Sequence, residues 1–260
     1  MKTNLNYNQY IPTNILFGAG QLNNLHAQSM PGKRALIVIS NGKSTRDNGY
    51  LARTEEELHQ AGVETEVFDG IMPNPTVANS VAGANAAHEF KADFLVALGG
   101  GSVMDCSKAI ALLATNEGDL WDYVAVGSGK GQPIQKRPLP IIAITTTAGT
   151  GSETDGCGVI TKEETNEKAF IMHPSLFPVL AIVDSELMLS VPPRFTAFQG
   201  FDTLFHSVEG FIAASANLAS DMNAREAIRN IAEYLPRAVK DGTDLEARTR
   251  VASPTPCREP

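Results

Sequence analysis

The apolar positions of this chain fall first into short unbroken runs and later into helical periods. Ala35–Ser40 (ALIVIS), Phe94–Gly99 (FLVALG), Pro140–Thr145 (PIIAIT) and Pro178–Asp184 (PVLAIVD) are continuous runs of strand length. Strands covered on both faces of a parallel sheet read this way, because neither face is left to water. Between the first two runs lie a helical period at Leu51–Ala61, a short strand at Glu66–Phe68 and a second helical period at Val77–Phe90. Asn74-Pro75 marks the turn before that second helix. Ser102–Ala114 leaves the Gly99-Gly100-Gly101 turn directly as a helix. Alternation of this kind predicts an α/β domain built on a parallel sheet.

The texture changes after Asp184. Pro192-Pro193 marks a boundary, and beyond it the periods are helical with no clear strand: Arg194–Ala214, then Ser220–Lys240 after a break at Ser215–Leu218. Pro236 should end or kink the second of these, since proline has no amide to donate. A third helical pattern starts near Asp244 and is interrupted by the prolines of Ser253–Pro260. The expected division is 1–188 for an α/β domain, 189–252 for a helical unit and 253–260 for a tail. The helical unit, at about 65 residues, is small for an independent core. Its tail reads either as a frayed terminus or as a chain cut short or read out of frame.

Composition narrows the class. Apolar residues make up 43% and charged residues 19% of 260 positions, ordinary for a globular protein. A net charge of −8 with no dense Lys/Arg run argues against nucleic acid or an anionic membrane as partner. No apolar run reaches the roughly 18–20 residues of a membrane span. Cys106, Cys157 and Cys257 include no C-x-x-C pair, so the expected compartment is the reducing cytoplasm.

Three segments carry candidate chemistry. Gly99-Gly100-Gly101-Ser102 follows a buried strand and opens a helix, where glycines admit a pyrophosphate to free amides and the positive helix end. Ser102 can cap that helix, and Asp105 suits its first turn. The second loop, Thr145 to Glu153, combines hydroxyls with Gly149 and Gly151 at the end of another strand. It is either a turn-rich connection or the far wall of a ligand crevice. Asn41–Thr45 lacks the first glycine of a phosphate-binding P-loop, because Ile37 stands there. No acid follows the first strand immediately, so Ser40, Gly42, Lys43 and Ser44 would tolerate a 2′-phosphate, which leans the cofactor toward NADP over NAD. Finally, Asp202 and His206 stand four apart and share one face of a helix. Such a pair is either a helix-face hydrogen bond or two ligands of one Fe²⁺ or Zn²⁺ ion.

Taken together, Leu98-Gly-Gly-Gly-Ser102 with Asp105, Thr146-Thr-Ala-Gly-Thr-Gly-Ser-Glu153 and Gly200-Phe-Asp-Thr-Leu-Phe-His-Ser-Val-Glu-Gly-Phe211 resemble the iron-containing, or group III, alcohol dehydrogenases. Asp69-Gly70, Pro73-Asn-Pro75 and Pro192-Pro193 also look like that family, so the match runs over about residues 8–252. The resemblance implies a dehydroquinate synthase-like architecture with an incomplete all-α second domain. It implies that Gly100, Gly101 and Ser102 hold the pyrophosphate with Asp105 behind them. Thr146, Thr147 and Thr150 would line the opposite wall, and Lys168 would reach the cofactor ribose. Asp202 and His206 would be two of four metal ligands, and no catalytic side chain beyond the metal is needed. A small alcohol or aldehyde is the implied partner, and a homo-oligomer, such as a dimer, the implied state.

No histidine follows His206, whereas the family's further ligand histidines belong to later helices. Poor activity and an exposed apolar face are therefore expected of this chain. Two other readings stay open: a catalytically inactive NAD(P)-binding remnant, and a glycerol dehydrogenase-like enzyme of the same architecture.

Overall fold

The computed structural model describes residues 4–253; of the tail, 254–260, with Cys257, lies outside the described residues. Six parallel strands form the central sheet: β1 (Asn14–Phe17), β2 (Arg34–Ser40), β3 (Glu64–Ile71), β4 (Phe94–Gly99), β5 (Ile141–Thr145) and β8 (Leu180–Val183). Their spatial order is β1-β8-β5-β4-β2-β3. The four sequence runs became β2, β4, β5 and β8, each buried along its middle. Strand β1 and the full eight residues of β3 went beyond the sequence expectation. Both are edge strands with partly exposed residues, so neither shows a continuous apolar run.

Alternate side chains of each strand feed two cores. Ile37, Val96, Leu98, Ile142 and Ile182 meet Leu51 and Leu58 of helix α2 (Tyr50–Gln60) on one face. Leu36, Leu95, Ala97 and Ala143 meet Ala87 of α3 (Val77–Phe90) and Met104 and Ile110 of α4 (Gly101–Leu113) on the other. The result is a three-layer αβα domain. Thr76 caps α3 through a reciprocal capping box with Asn79. An antiparallel hairpin, β6 (Cys157–Lys162) with β7 (Glu167–Met172), lies outside the main sheet and packs on α4 through Ile160 and Ile171. The sequence pattern did not single out this hairpin, because its residues alternate and only Gly158, Ile160 and Ile171 are buried.

Three helices follow: α5 (Pro193–Ile212), α6 (Leu218–Lys240) and α7 (Leu245–Val251). Pro236 does not end α6, which continues to Lys240. Its missing amide removes one hydrogen bond just before the last turn, and the helix continues past it. Helix α5 packs on α6 through small residues: Thr196, Gly200, Thr203 and Ser207 are its buried positions. A Cβ on Gly200 would stand 2.3 Å from Leu235 Cδ1, so only glycine allows this approach. Opposite that seam, Phe195, Phe198, Phe201 and Phe205 form an exposed aromatic stripe. No helix among the described residues is long and apolar enough to cross a membrane.

Candidate functional site

Strand order places a topological switch point between β2 and β4. From β2 the chain runs outward to β3, then returns past β2 to β4, so connections leave in opposite directions at that point. Ligands of open parallel sheets bind beyond the strand ends at such a switch. Ser40 closes β2 and Gly99 closes β4, which brings the Ser40–Ser44 segment and the glycine turn to this place. Gly42 and Lys43 are exposed there, and Ser44 opens the short helix α1 (Ser44–Asp47).

The glycine turn differs from its expected form in one respect. Helix α4 starts at Gly101 with Gly100 as its extended N-cap, whose carbonyl accepts from the amides of Val103 and Met104 at 3.0 and 3.2 Å. Ser102 therefore sits inside the first turn and is not the cap, and Asp105 lies beyond that turn. Without a side-chain cap, the first amides of α4 face outward, the arrangement that receives an anion.

The hydroxyl loop begins beside this turn. Gly99 and Thr145 are register partners, and the Thr146 amide donates to the Gly99 carbonyl at 2.9 Å. Thr147 covers Gly100 and Thr150 covers Gly101: a Cβ on either glycine would come within 2.8 or 2.7 Å of the threonine. Gly149 and Gly151 adopt φ of +115° and +67°, the left-handed region where a side chain is strained. These two glycines turn the loop away from the sheet toward α5. There the Ala148 amide donates to Gln199 Oε1 at 3.2 Å, and Gly149 lies against Asp202.

A cavity of about 740 Å³ opens between this loop, the hairpin and the helices. Its wall includes Asp105, Thr150, Lys168, Asp202 and His206, five of the residues expected from sequence. Gly100, Gly101, Ser102, Thr146, Thr147 and the Ser40–Ser44 segment are not part of this wall. Lys168, on β7, donates to Asn74 Oδ1 at 2.8 Å. Asp202 Oδ1 and His206 Nε2 are 3.4 Å apart, with both side chains partly exposed. Two ligands about 2.0–2.1 Å from one tetrahedral ion stand at about that separation. One carboxylate and one imidazole suit Fe²⁺ or Zn²⁺. Among the described residues no group of three or more His, Cys, Asp or Glu side chains gathers to hold a metal, so the pair fits part of a site. The other histidines serve locally: His26 meets Glu57, His59 meets Thr65, His173 meets Ser175, and His88 is exposed.

Beneath the loop is a polar cluster that the sequence reading passed over. Lys108 is fully buried on α4, and its Nζ donates to the Ser152 carbonyl and hydroxyl at 2.8 and 2.9 Å. The same ammonium donates to the Cys157 carbonyl at 2.7 Å and pairs with Asp155. Ser152 Oγ in turn donates to Asp105 Oδ1 at 2.7 Å. Burial raises the Asp105 carboxyl above its ordinary value, opposed by the charge of Lys108. Burial also lifts Glu153 to about 7 and the Cys106 thiol to about 12. The available signal was a lysine inside the apolar period of α4, three residues after Asp105.

The family model described as "Iron-containing alcohol dehydrogenase" matches residues 12–185, and the one described as "Fe-containing alcohol dehydrogenase family, C-terminal" matches residues 196–254. "Alcohol dehydrogenase 4" of Schizosaccharomyces pombe is 39% identical over 245 residues, covering 94% of this chain and 56% of the relative. "1,3-propanediol dehydrogenase" of Klebsiella pneumoniae is 36% identical over 249 residues, covering 95% and 63%. The solved sulfoacetaldehyde reductase of Bifidobacterium kashiwanohense, in complex with NAD⁺, superposes with a TM-score of 0.88 at 33% identity, covering 98% of this chain and 66% of that one. This chain thus spans between 56% and 63% of the length of those two curated relatives. With its two family matches, ordered loops and paired Asp202 and His206, the chain belongs to the iron-containing alcohol dehydrogenase family.

Proposed function

We propose that this chain carries the dinucleotide-binding domain and two metal donors of an NAD(P)-dependent alcohol dehydrogenase or aldehyde reductase. The observation behind it is continuity: one loop, Thr146–Glu153, touches the glycine turn at Gly100 and Gly101 and the Asp202 helix at Gly149, and from Ala148 onward it lines the cavity. A cofactor stretched along that loop runs from the amides of α4 to the Asp202/His206 pair.

The residues divide the work by chemistry. The outward amides at Gly101 and Ser102 hold the pyrophosphate, and the close cover of Thr147 and Thr150 leaves room there for backbone contact only. Ser40, Gly42, Lys43 and Ser44, at the switch point, present hydroxyls and one cation to the adenosine ribose and tolerate a 2′-phosphate, so both NAD and NADP are candidates. Lys168 supplies a cation from the hairpin side of the cavity, toward the cofactor ribose. Asp202 and His206 hold Fe²⁺ or Zn²⁺, which when bound acts as a Lewis acid on the oxygen of an alcohol or aldehyde. The dinucleotide supplies or takes the hydride.

Titrating NAD and NADP into the purified chain, followed by alcohol oxidation with added Fe²⁺ or Zn²⁺, tests this. Saturable dinucleotide binding is expected; its absence would overturn the reading. A second reading, a dinucleotide-binding remnant without catalysis, is favoured by the two-donor metal set among the described residues. Binding without turnover selects it.

A further inference from the structure

Glu153 ends the hydroxyl loop in a 3-10 turn, is 5% exposed and lines the cavity. Its Oε2 is buried and has no hydrogen-bond partner. A buried carboxyl oxygen left unpaired costs about 1–3 kcal/mol or more, so its retention in a cavity wall calls for a ligand. The neighbouring cation does not fill the role. Lys108 has three protons, and four acceptors on Ser152, Asp155 and Cys157 already converge on them. Asp105 is engaged with Ser152, and Asp155 with Lys108 and the Cys157 amide.

The position restricts which part of a dinucleotide can meet Glu153. Phosphate oxygens only accept hydrogen bonds, so they can pair with a neutral carboxyl but are repelled by an ionised one. Gly100 and Gly101, the pyrophosphate end, are not in this cavity's wall, whereas Asp202 and His206, the hydride-transfer end, are. At that end the nicotinamide carboxamide offers an N–H₂ donor and a carbonyl acceptor, so it pairs with a carboxyl group in either protonation state. The geometry points to Glu153 as the residue that hydrogen-bonds the nicotinamide carboxamide, its carboxyl turning toward the cavity so that the buried Oε2 meets the amide. Such a bond fixes the rotation of the ring against the Asp202/His206 pair. The inference rests on the dinucleotide reading above.

Calorimetric titration of wild type, Glu153→Gln and Glu153→Leu separates the two. Three probes are used: NAD⁺, its 3-acetylpyridine analogue, which lacks the amide N–H₂, and ADP-ribose, which lacks the ring. Wild type should prefer NAD⁺ over the analogue by about tenfold, the value of one hydrogen bond. Glu153→Leu should lose that preference while binding ADP-ribose as wild type does, and Glu153→Gln should keep most of it. A Glu153→Leu chain that still prefers NAD⁺ over the analogue overturns the inference. So does a loss of ADP-ribose binding in both variants, which would make Glu153 a structural residue. If wild type binds none of the three probes, the dinucleotide reading itself fails.

Discussion

Gly149 and Asp202 touch at a point where no side chain fits. A Cβ built on Gly149 would stand 2.8 Å from Asp202 Oδ2 and 3.0 Å from the Gln199 carbonyl, and the glycine holds φ +115°. At Gly149 the hydroxyl loop thus meets the helix of the metal pair with its backbone alone. Gly149→Ala should cost about 1–3 kcal/mol of stability through strain and collision. It should also displace Asp202 and weaken Zn²⁺ binding. Urea unfolding and metal titration check both effects, and an unchanged Zn²⁺ affinity would contradict the second.

Gly101 and Thr150 form a second contact of this kind. The nearest atom to an added Cβ at Gly101 is Thr150 Cγ2, at 2.7 Å. Gly101→Ala should weaken dinucleotide binding by about tenfold or more, because the threonine is pushed into the space beside the α4 amides. Thr150→Ser deletes the methyl, so the Gly101→Ala/Thr150→Ser double variant should regain part of the loss. Equal affinities for single and double variants would show that the collision is not the cause.

Lys108 fastens α4, the loop and β6 together with one ammonium. Lys108→Met removes the cation from the partly buried Asp155 and the buried Ser152 groups, which keep only the Cys157 amide and Asp105 as partners, and should destabilise the fold by about 2–4 kcal/mol. Asp155→Asn keeps the shape and should cost less. Chemical denaturation of the two variants against wild type reads the order directly.

Glu153 should make stability depend on pH in a recognisable direction. Burial, with a smaller contribution from the Asp155 charge, holds its folded carboxyl at about 7, opposed by a hydrogen bond from its own backbone amide and, less, by the positive charge of Lys108. The ordinary value in an unfolded chain is near 4.5. Between those values the folded state binds the extra proton, so the contribution present below about 4.5 is lost as pH rises to about 7. Glu153→Gln cannot ionise and should flatten this part of the profile. Relative to wild type it should gain on the order of 3 kcal/mol between pH 4.5 and pH 8. Unfolding titrations of both proteins at the two pH values provide the test; parallel profiles would refute it.

His206→Ala and Asp202→Asn should each abolish measurable Zn²⁺ or Fe²⁺ binding at this pair, since a single remaining donor holds an ion weakly. The folded baseline should change little, because both side chains are partly exposed. Calorimetric metal titration beside a thermal melt distinguishes loss of metal from loss of fold.

Local order along the chain determined a good deal by itself. β2, β4, β5 and β8 were legible because strands covered on both faces must be apolar throughout. The glycine turn, the hydroxyl loop and the Asp202/His206 pair were legible because their chemistry sits within a few consecutive residues or one helical turn. The tertiary structure decided what depends on separate segments meeting. It set the strand order that puts the switch point beside Ser40 and Gly99, and it paired Gly100 with Thr147 and Gly101 with Thr150. It started α4 one residue before Ser102, a choice governed by which backbone carbonyl takes the first helical bond. Lys108 and Glu153 belonged wholly to this second class. A lysine and a glutamate read as surface residues in sequence, and only packing reveals that one is saturated with acceptors and the other is left with an unpaired oxygen.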